Sequence, residues 1–376
     1  MTEELFEVQV PFRFVGPIRL ADGRLLGFDW PLKLMYSGDG GRTWEDGGPM
    51  INRDGTEFSG KDPVVKNAIR MTSGAIAINY WEETSEGPGT RALETCFRKS
   101  IDEGETWSDP VRVTRPYTPS DTTFMMQMEN GRLILPNAYV YAQETQKYRH
   151  NNMQISTVFY SDDEGETWDE SVDSVFVGAE NRGARAEGAV EPVVAETADG
   201  RLFMFMRTEV QRIAQSYSTD GGVHWEQGVL NSLVSSLSPI WLTRIPTTGN
   251  LLCVWNQSSA EETATGYYRS RLTSAISKDS GATWQHFRTL VSAPGSKNID
   301  RITDPEPPGF LESSGVLPEL ERIPPEGHRT VRHPRVRFID DIAYLIFDDR
   351  WYNQKGEKFK DPWLLRALPI SWFYES

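Results

Sequence analysis

The sequence predicts an all-β fold, a six-bladed β-propeller of four-stranded antiparallel blades. Three observations carry this expectation. One octapeptide pattern, Ser-x-Asp-x-Gly-x-Thr-Trp, occurs five times, at Ser37–Trp44, Ser100–Trp107, Ser161–Trp168, Ser218–Trp225 and Ser277–Trp284, with His224 the one departure from threonine. Its serines stand 63, 61, 57 and 59 residues apart. A unit of that length cannot bury its own apolar face, so the units must stack around a common core. Finally, apolar β-rich runs precede the copies, and no long stretch has helical periodicity.

The elements follow in order. The first unit has the run Leu25-Leu-Gly-Phe28 after the turn Asp22-Gly23, and the second has Ala75 to Tyr80. The third is introduced by Asn130-Gly131 and the fourth by Asp199-Gly200, which leads into Leu202-Phe-Met-Phe205; the fifth carries Leu251 to Trp255. Such dipeptides favour tight hairpins between strands. In the octapeptide the Ser and Asp side chains can bond nearby amides, the Gly takes a positive φ, and the Trp covers the join to a neighbouring sheet. A sixth unit without the pattern is expected over residues 325–376, with strands at Arg335–Ile339 and Ile342–Phe347, and the chain ends are expected to pair and close the ring.

A chain of 376 residues suggests two or three domains by length alone, but the repeat period argues for one domain over residues 1–376 with a Pro- and Gly-rich insertion near 294–325. Cys96 and Cys253 fall in strands of different units and read as two buried thiols. The opening Met1-Thr-Glu-Glu-Leu-Phe6 has neither a basic region nor an apolar run. The expectation is therefore a cytoplasmic protein, with no signal peptide and no membrane span. A formal charge of −15 argues against a nucleic-acid partner. An acidic ligand would need a local arginine cluster working against that field. The five histidines and two cysteines lack metal-ligand spacing, and no phosphate loop or dinucleotide fingerprint is present, so no metal or cofactor is expected.

The octapeptide is the Asp-box repeat, and over most of its length the chain resembles the sialidase superfamily of six-bladed propellers. The resemblance implies a set of site residues. A glutamate on a blade-four strand, an Asp-Gly-Arg turn and an arginine sixteen residues after the glutamate are matched by Glu191, Asp199-Gly200-Arg201 and Arg207. Two adjacent antiparallel strands would bring both ends of that segment to the funnel mouth, where Arg207 could grip a carboxylate in bidentate fashion. Arg269, with Arg271 as the alternative, matches the arginine before the fifth box, and Arg13 matches that of the first blade. An arginine triad of this kind implies an acidic carbohydrate as ligand.

Two departures alter the chemistry that the resemblance implies. The expected nucleophilic tyrosine on the first strand of blade six is replaced by His333, flanked by Arg332 and Arg335. The loop that should carry the acid is short and contains only Asp29, with Asp62, at the start of blade two, as the other candidate. Histidine works near neutral pH as an acid or a base. The leading expectation is a sialidase-like exo-glycoside hydrolase acting on a carboxylated sugar. Glu191, His333 and Asp62 are its catalytic candidates, and Arg13, Arg207, Arg269 and Arg335 its binding residues. A polysaccharide lyase on uronic-acid glycans and a non-catalytic glycan-binding propeller remain alternatives. Tyr139, Tyr141, Tyr148 and His150 are offered as sugar-stacking groups, and the box aspartates as turn residues.

Overall fold

The box sequences build the turns the sequence predicts. In the first box the Gly41 amide donates to Ser37 Oγ at 2.8 Å and Ser37 Oγ donates to Asp39 Oδ1 at 2.8 Å. The Thr43 amide and hydroxyl then donate to the two Asp39 carboxylate oxygens at 2.9 and 2.6 Å. In the fourth box His224 replaces threonine, and its Nδ1 takes the hydroxyl's place, 2.7 Å from Asp220 Oδ2. These bonds to the ionised form, led by those from Thr43, pull the Asp39 carboxyl down to about 2.

Each box also locks its blade to the one before. Trp107 meets Phe28 edge-on at 5.8 Å, Trp168 meets Phe97 at 5.5 Å and Trp284 meets Phe205 at 5.3 Å. Gly165 shows why the box needs glycine. Its φ is +86°, and a Cβ there would lie 2.3 Å from the Phe97 ring of the preceding blade.

This computed structural model describes residues 5–10, 15–84, 93–115, 124–141, 153–177, 188–208, 211–259, 261–262, 269–296, 299–303, 328–353 and 355–375. Arg13, Tyr148, His150 and most of the 294–325 insertion lie outside the described residues. The first strand, β1 (Phe6–Val10), belongs to the last blade. Blade one is β2 (Val15–Arg19), β3 (Leu25–Asp29), β4 (Lys33–Ser37) and β5 (Glu45–Pro49). Blade two is β6 (Val64–Arg70), β7 (Ile76–Glu83), β8 (Leu93–Ser100) and β9 (Val111–Arg112). Blade three is β10 (Met126–Gln127), β11 (Leu133–Tyr141), β12 (Met153–Ser161) and β13 (Asp169–Glu170). Blade four is β14 (Val190–Glu196), β15 (Leu202–Arg207), β16 (Arg212–Ser218) and β17 (Val229–Val234). Blade five is β18 (Trp241–Arg244), β19 (Leu251–Asn256), β20 (Arg271–Ser277) and β21 (Gln285–Ser292).

Blade six departs from the four-stranded pattern by one strand. Its order is β22 (Arg329–Ile339), β23 (Ile342–Tyr352), β25 (Trp363–Pro369) and β1, with the short β24 (Lys358–Lys360) paired on β23. β1 pairs antiparallel with β25 from Phe6↔Ala367 to Val10↔Trp363, so the two chain ends share one blade and close the ring. The core runs between the blades, and Cys96 and Cys253 are buried free thiols within it. Around the axis the first strands of several blades touch, β2 with β6 and β22, and β18 with β14 and β22. Side chains from these strands line the central funnel.

Candidate active site

The inner strands are not regular. Three of them slip register at an Xaa-Pro dipeptide: β2 between Val15 and Ile18 around Gly16-Pro17, β14 between Val190 and Val193 around Glu191-Pro192, and β22 between Arg332 and Arg335 around His333-Pro334. Proline cannot donate to the ladder, and a bulge re-aims the residue it displaces. Glu191 has φ +50° and His333 φ +53°, a left-handed backbone that a residue with a side chain adopts at a cost of roughly 1–3 kcal/mol. Both side chains line the same cavity at the funnel mouth.

That cavity has a volume of about 330 Å³. Among the described residues six cationic side chains line it, Lys66, Arg207, Arg269, Arg332, Arg335 and Arg350, against three carboxylates, Asp29, Glu191 and Asp348. Phe28, Trp30, Phe124 and Trp363 supply apolar wall. In a chain of formal charge −15, this is a local reversal of sign.

The charges are arranged in two groups. On blade four, Arg207 Nη1 lies 2.9 Å from Glu191 Oε1, and Glu191 is 3 % exposed. Its second oxygen, Oε2, has no hydrogen-bond partner among the described residues. Close by in the cavity wall, Arg269 Nη2 donates to the Leu237 carbonyl at 2.9 Å. On blade six, Asp348 is fully buried at the centre of a cationic cluster. Arg332 approaches it with two nitrogens at 2.8 and 3.2 Å, Arg350 Nη2 lies at 3.3 Å, and His333 Nδ1 at 3.2 Å. Burial alone would raise the Asp348 carboxyl. The bond from His333 and the charge of Arg332 outweigh it, and the group sits below its ordinary value. The His333 ring stacks on Trp363, with centroids 6.4 Å apart, and Arg335 lies over Phe124 and Trp363 at 5.4 and 5.8 Å. Asp29, at the end of β3, is the opposite case. Burial pushes its carboxyl up, against a bond from the Trp30 amide and the charge of Lys33.

Of the residues singled out in the sequence, Glu191, Arg207, Arg269, His333 and Arg335 share this cavity. Arg271 does not; it is wholly buried and held by Glu262 at 2.7 and 3.0 Å. Asp62 is not brought to the group either: it precedes β6, is exposed and is absent from the cavity wall, whereas Asp29 is in it. Tyr344 is buried and donates to the Gly40 carbonyl at 3.1 Å, as a structural group. Asp348, Arg350 and Lys66 were not singled out from the sequence. The cross-strand pair Arg332↔Asp348 is what places the first of them.

A model of the family described as BNR repeat-like domain matches residues 62–330. The chain belongs to that family. Among curated proteins it is 27% identical to the anhydrosialidase of Macrobdella decora over 221 residues, 55% of this chain and 24% of that protein. It is 23% identical to the sialidase of Bacteroides fragilis (strain YCH46) over 319 residues, 75% of this chain and 54% of that protein. The chain thus spans about a quarter and about half of the lengths of these two relatives. Among solved structures, the K499G mutant of the NanB sialidase from Streptococcus pneumoniae superposes with a TM-score of 0.57 at 12% identity, covering 97% of this chain and 70% of that one. At that identity the superposition speaks for the fold, a sialidase-like six-bladed propeller.

Proposed function

We propose that this protein is a sialidase-like glycoside hydrolase acting on a carboxylated sugar. The observation that carries the reading is the excess of cationic side chains in a funnel-mouth cavity of a strongly acidic chain. Arg207 and Arg269 would hold the sugar carboxylate, with Arg335 as a third cation; Arg13, the remaining member of the expected triad, lies outside the described residues. Bidentate guanidinium–carboxylate pairing suits this task in a walled site. Glu191 would orient Arg207. Asp29, whose carboxyl is pushed up by burial, would protonate the leaving oxygen in place of Asp62. His333 would occupy the position of the nucleophile or base.

The test is mass spectrometry of products after incubation with a panel of sialosides and uronic-acid oligosaccharides. Hydrolysis predicts products whose summed mass exceeds the substrate by one water. Products with no added water and a new double bond would replace the proposal by β-elimination. Measurable binding of acidic glycans without any turnover would make the propeller a lectin.

A further inference from the structure

We infer that Asp348 is a positioning residue that makes His333 a general base, so that water attacks the sugar directly and the anomeric configuration inverts. This inference rests on the glycosidase reading above and adds the mechanism by which the site works without a tyrosine.

The geometry begins with the bulge on β22. A regular strand would alternate its side chains across the sheet, but the slip between Arg332 and Arg335 sets His333 at φ +53° before Pro334. Such a conformation persists only where the surroundings over-determine it. They do so here from two sides. The ring is stacked on Trp363 of β25, and Nδ1 meets the buried Asp348 of β23 at 3.2 Å.

Asp348 is ionised in this setting, because Arg332 and Arg350 face it together. A carboxylate can only accept, so it selects the tautomer with the proton on Nδ1. Nε2 is then left with its lone pair, on a ring that lines the cavity. The charged groups around the ring are Asp348 and Arg350 on β23, and Arg332 and Arg335 on its own strand. Across the cavity stand Glu191 with Arg207, then Arg269, Lys66 and Asp29.

The step balances as follows. Nε2 of His333 takes a proton from water, and the water oxygen bonds to the anomeric carbon. The bond from that carbon to the leaving oxygen breaks, and the leaving oxygen takes the Asp29 proton. His333 then returns its proton to solvent and Asp29 regains one. A neutral base next to a substrate carboxylate avoids the repulsion that an anionic nucleophile would meet there.

The tautomer is tested first, without any substrate. Two-bond ¹H–¹⁵N correlation spectra of ¹⁵N-histidine-labelled protein, assigned by His333→Gln, should show His333 protonated at Nδ1 and bare at Nε2 at pH 8. The opposite tautomer would overturn the inference. With a hydrolysed substrate in hand, Asp348→Asn should lower kcat on the order of 10²-fold, with KM little changed and the acid limb of kcat/KM moved to lower pH. Asp348→Glu should restore part of the rate. In a His333→Ala background the Asp348→Asn change should cost little more, because the two act as one unit. An equal loss with and without His333 would assign Asp348 a purely structural role. ¹H NMR of the first sugar released should show the inverted anomer; retention would overturn direct attack by water. If no acidic glycoside is turned over, the glycosidase reading falls, while the tautomer spectrum still decides the histidine–aspartate pair.

Discussion

Replacing Arg207 by alanine separates gripping a substrate from holding a fold. Arg207 is the charge partner of Glu191, whose side chain is buried and whose Oε2 already has no partner among the described residues. Removing the arginine leaves a buried carboxylate uncompensated, at a cost of about 3–5 kcal/mol. With an unfolding entropy of roughly 2.1 cal/mol/K per residue, 376 residues give about 0.8 kcal/mol per kelvin, so Tm should fall by about 4–6 °C. In Arg207→Ala/Glu191→Gln the residue left behind is a neutral amide, and most of that Tm should return. Activity should not. A hydrogen-bonded ion pair to a substrate carboxylate is worth about 1.5–3 kcal/mol, or roughly 10- to 150-fold in kcat/KM. Calorimetry and initial rates on the same preparations measure both quantities. If kcat/KM recovers along with Tm in the double variant, Arg207 is a structural partner of Glu191 and does not hold the substrate.

Three further outcomes follow from the same structure. Gly165→Ala places a Cβ 2.3 Å from the buried Phe97 ring at φ +86°, whereas Gly23→Ala at φ +90° meets nothing within 4 Å. Urea unfolding should therefore show a loss of about 2–4 kcal/mol for the first, from overpacking and strain, and about 1 kcal/mol for the second, from strain alone. His328 is buried, and burial pulls its imidazole down to about 4. The unfolded chain thus takes up a proton that the folded one refuses, so stability falls as pH drops from about 6.5 to 4. The wild type should lose about 2–3 kcal/mol across that window relative to His328→Gln; parallel curves would refute it. Asp29→Asn should cut turnover of glycosides with poor leaving groups on the order of 10²-fold and spare good aryl leaving groups. Equal losses on both would remove Asp29 from the role of acid.

The fold was legible because its signal is local. Each box carries its own turn chemistry within eight residues, and even the histidine variant at position 224 reproduces the bond pattern of threonine. Glu191 and Arg207 were legible for a related reason: one hairpin separates them, and an antiparallel register brings Val190 opposite Arg207. Asp348 was not, because its meeting with His333 depends on a bulge that shifts the register midway along β22. Asp62 and Glu191 look alike in sequence, each an acid before proline with a positive φ, at +45° and +50°. Glu191 lies inside its inner strand and Asp62 ahead of one, a difference that hydrophobic pattern does not encode. Arg269 and Arg271 stand two residues apart, and the structure separates them: Glu262 captures the second, while the first bonds the Leu237 carbonyl in the cavity wall.

The most direct measurement is calorimetric titration with one acidic monosaccharide as its free acid and as its methyl ester. A cavity lined, among the described residues, by six cationic side chains against three carboxylates should bind the free acid and lose about 10- to 150-fold in affinity for the ester, with the difference shrinking as salt rises. Equal affinity for the two forms would contradict the claim that this site is built for a carboxylate.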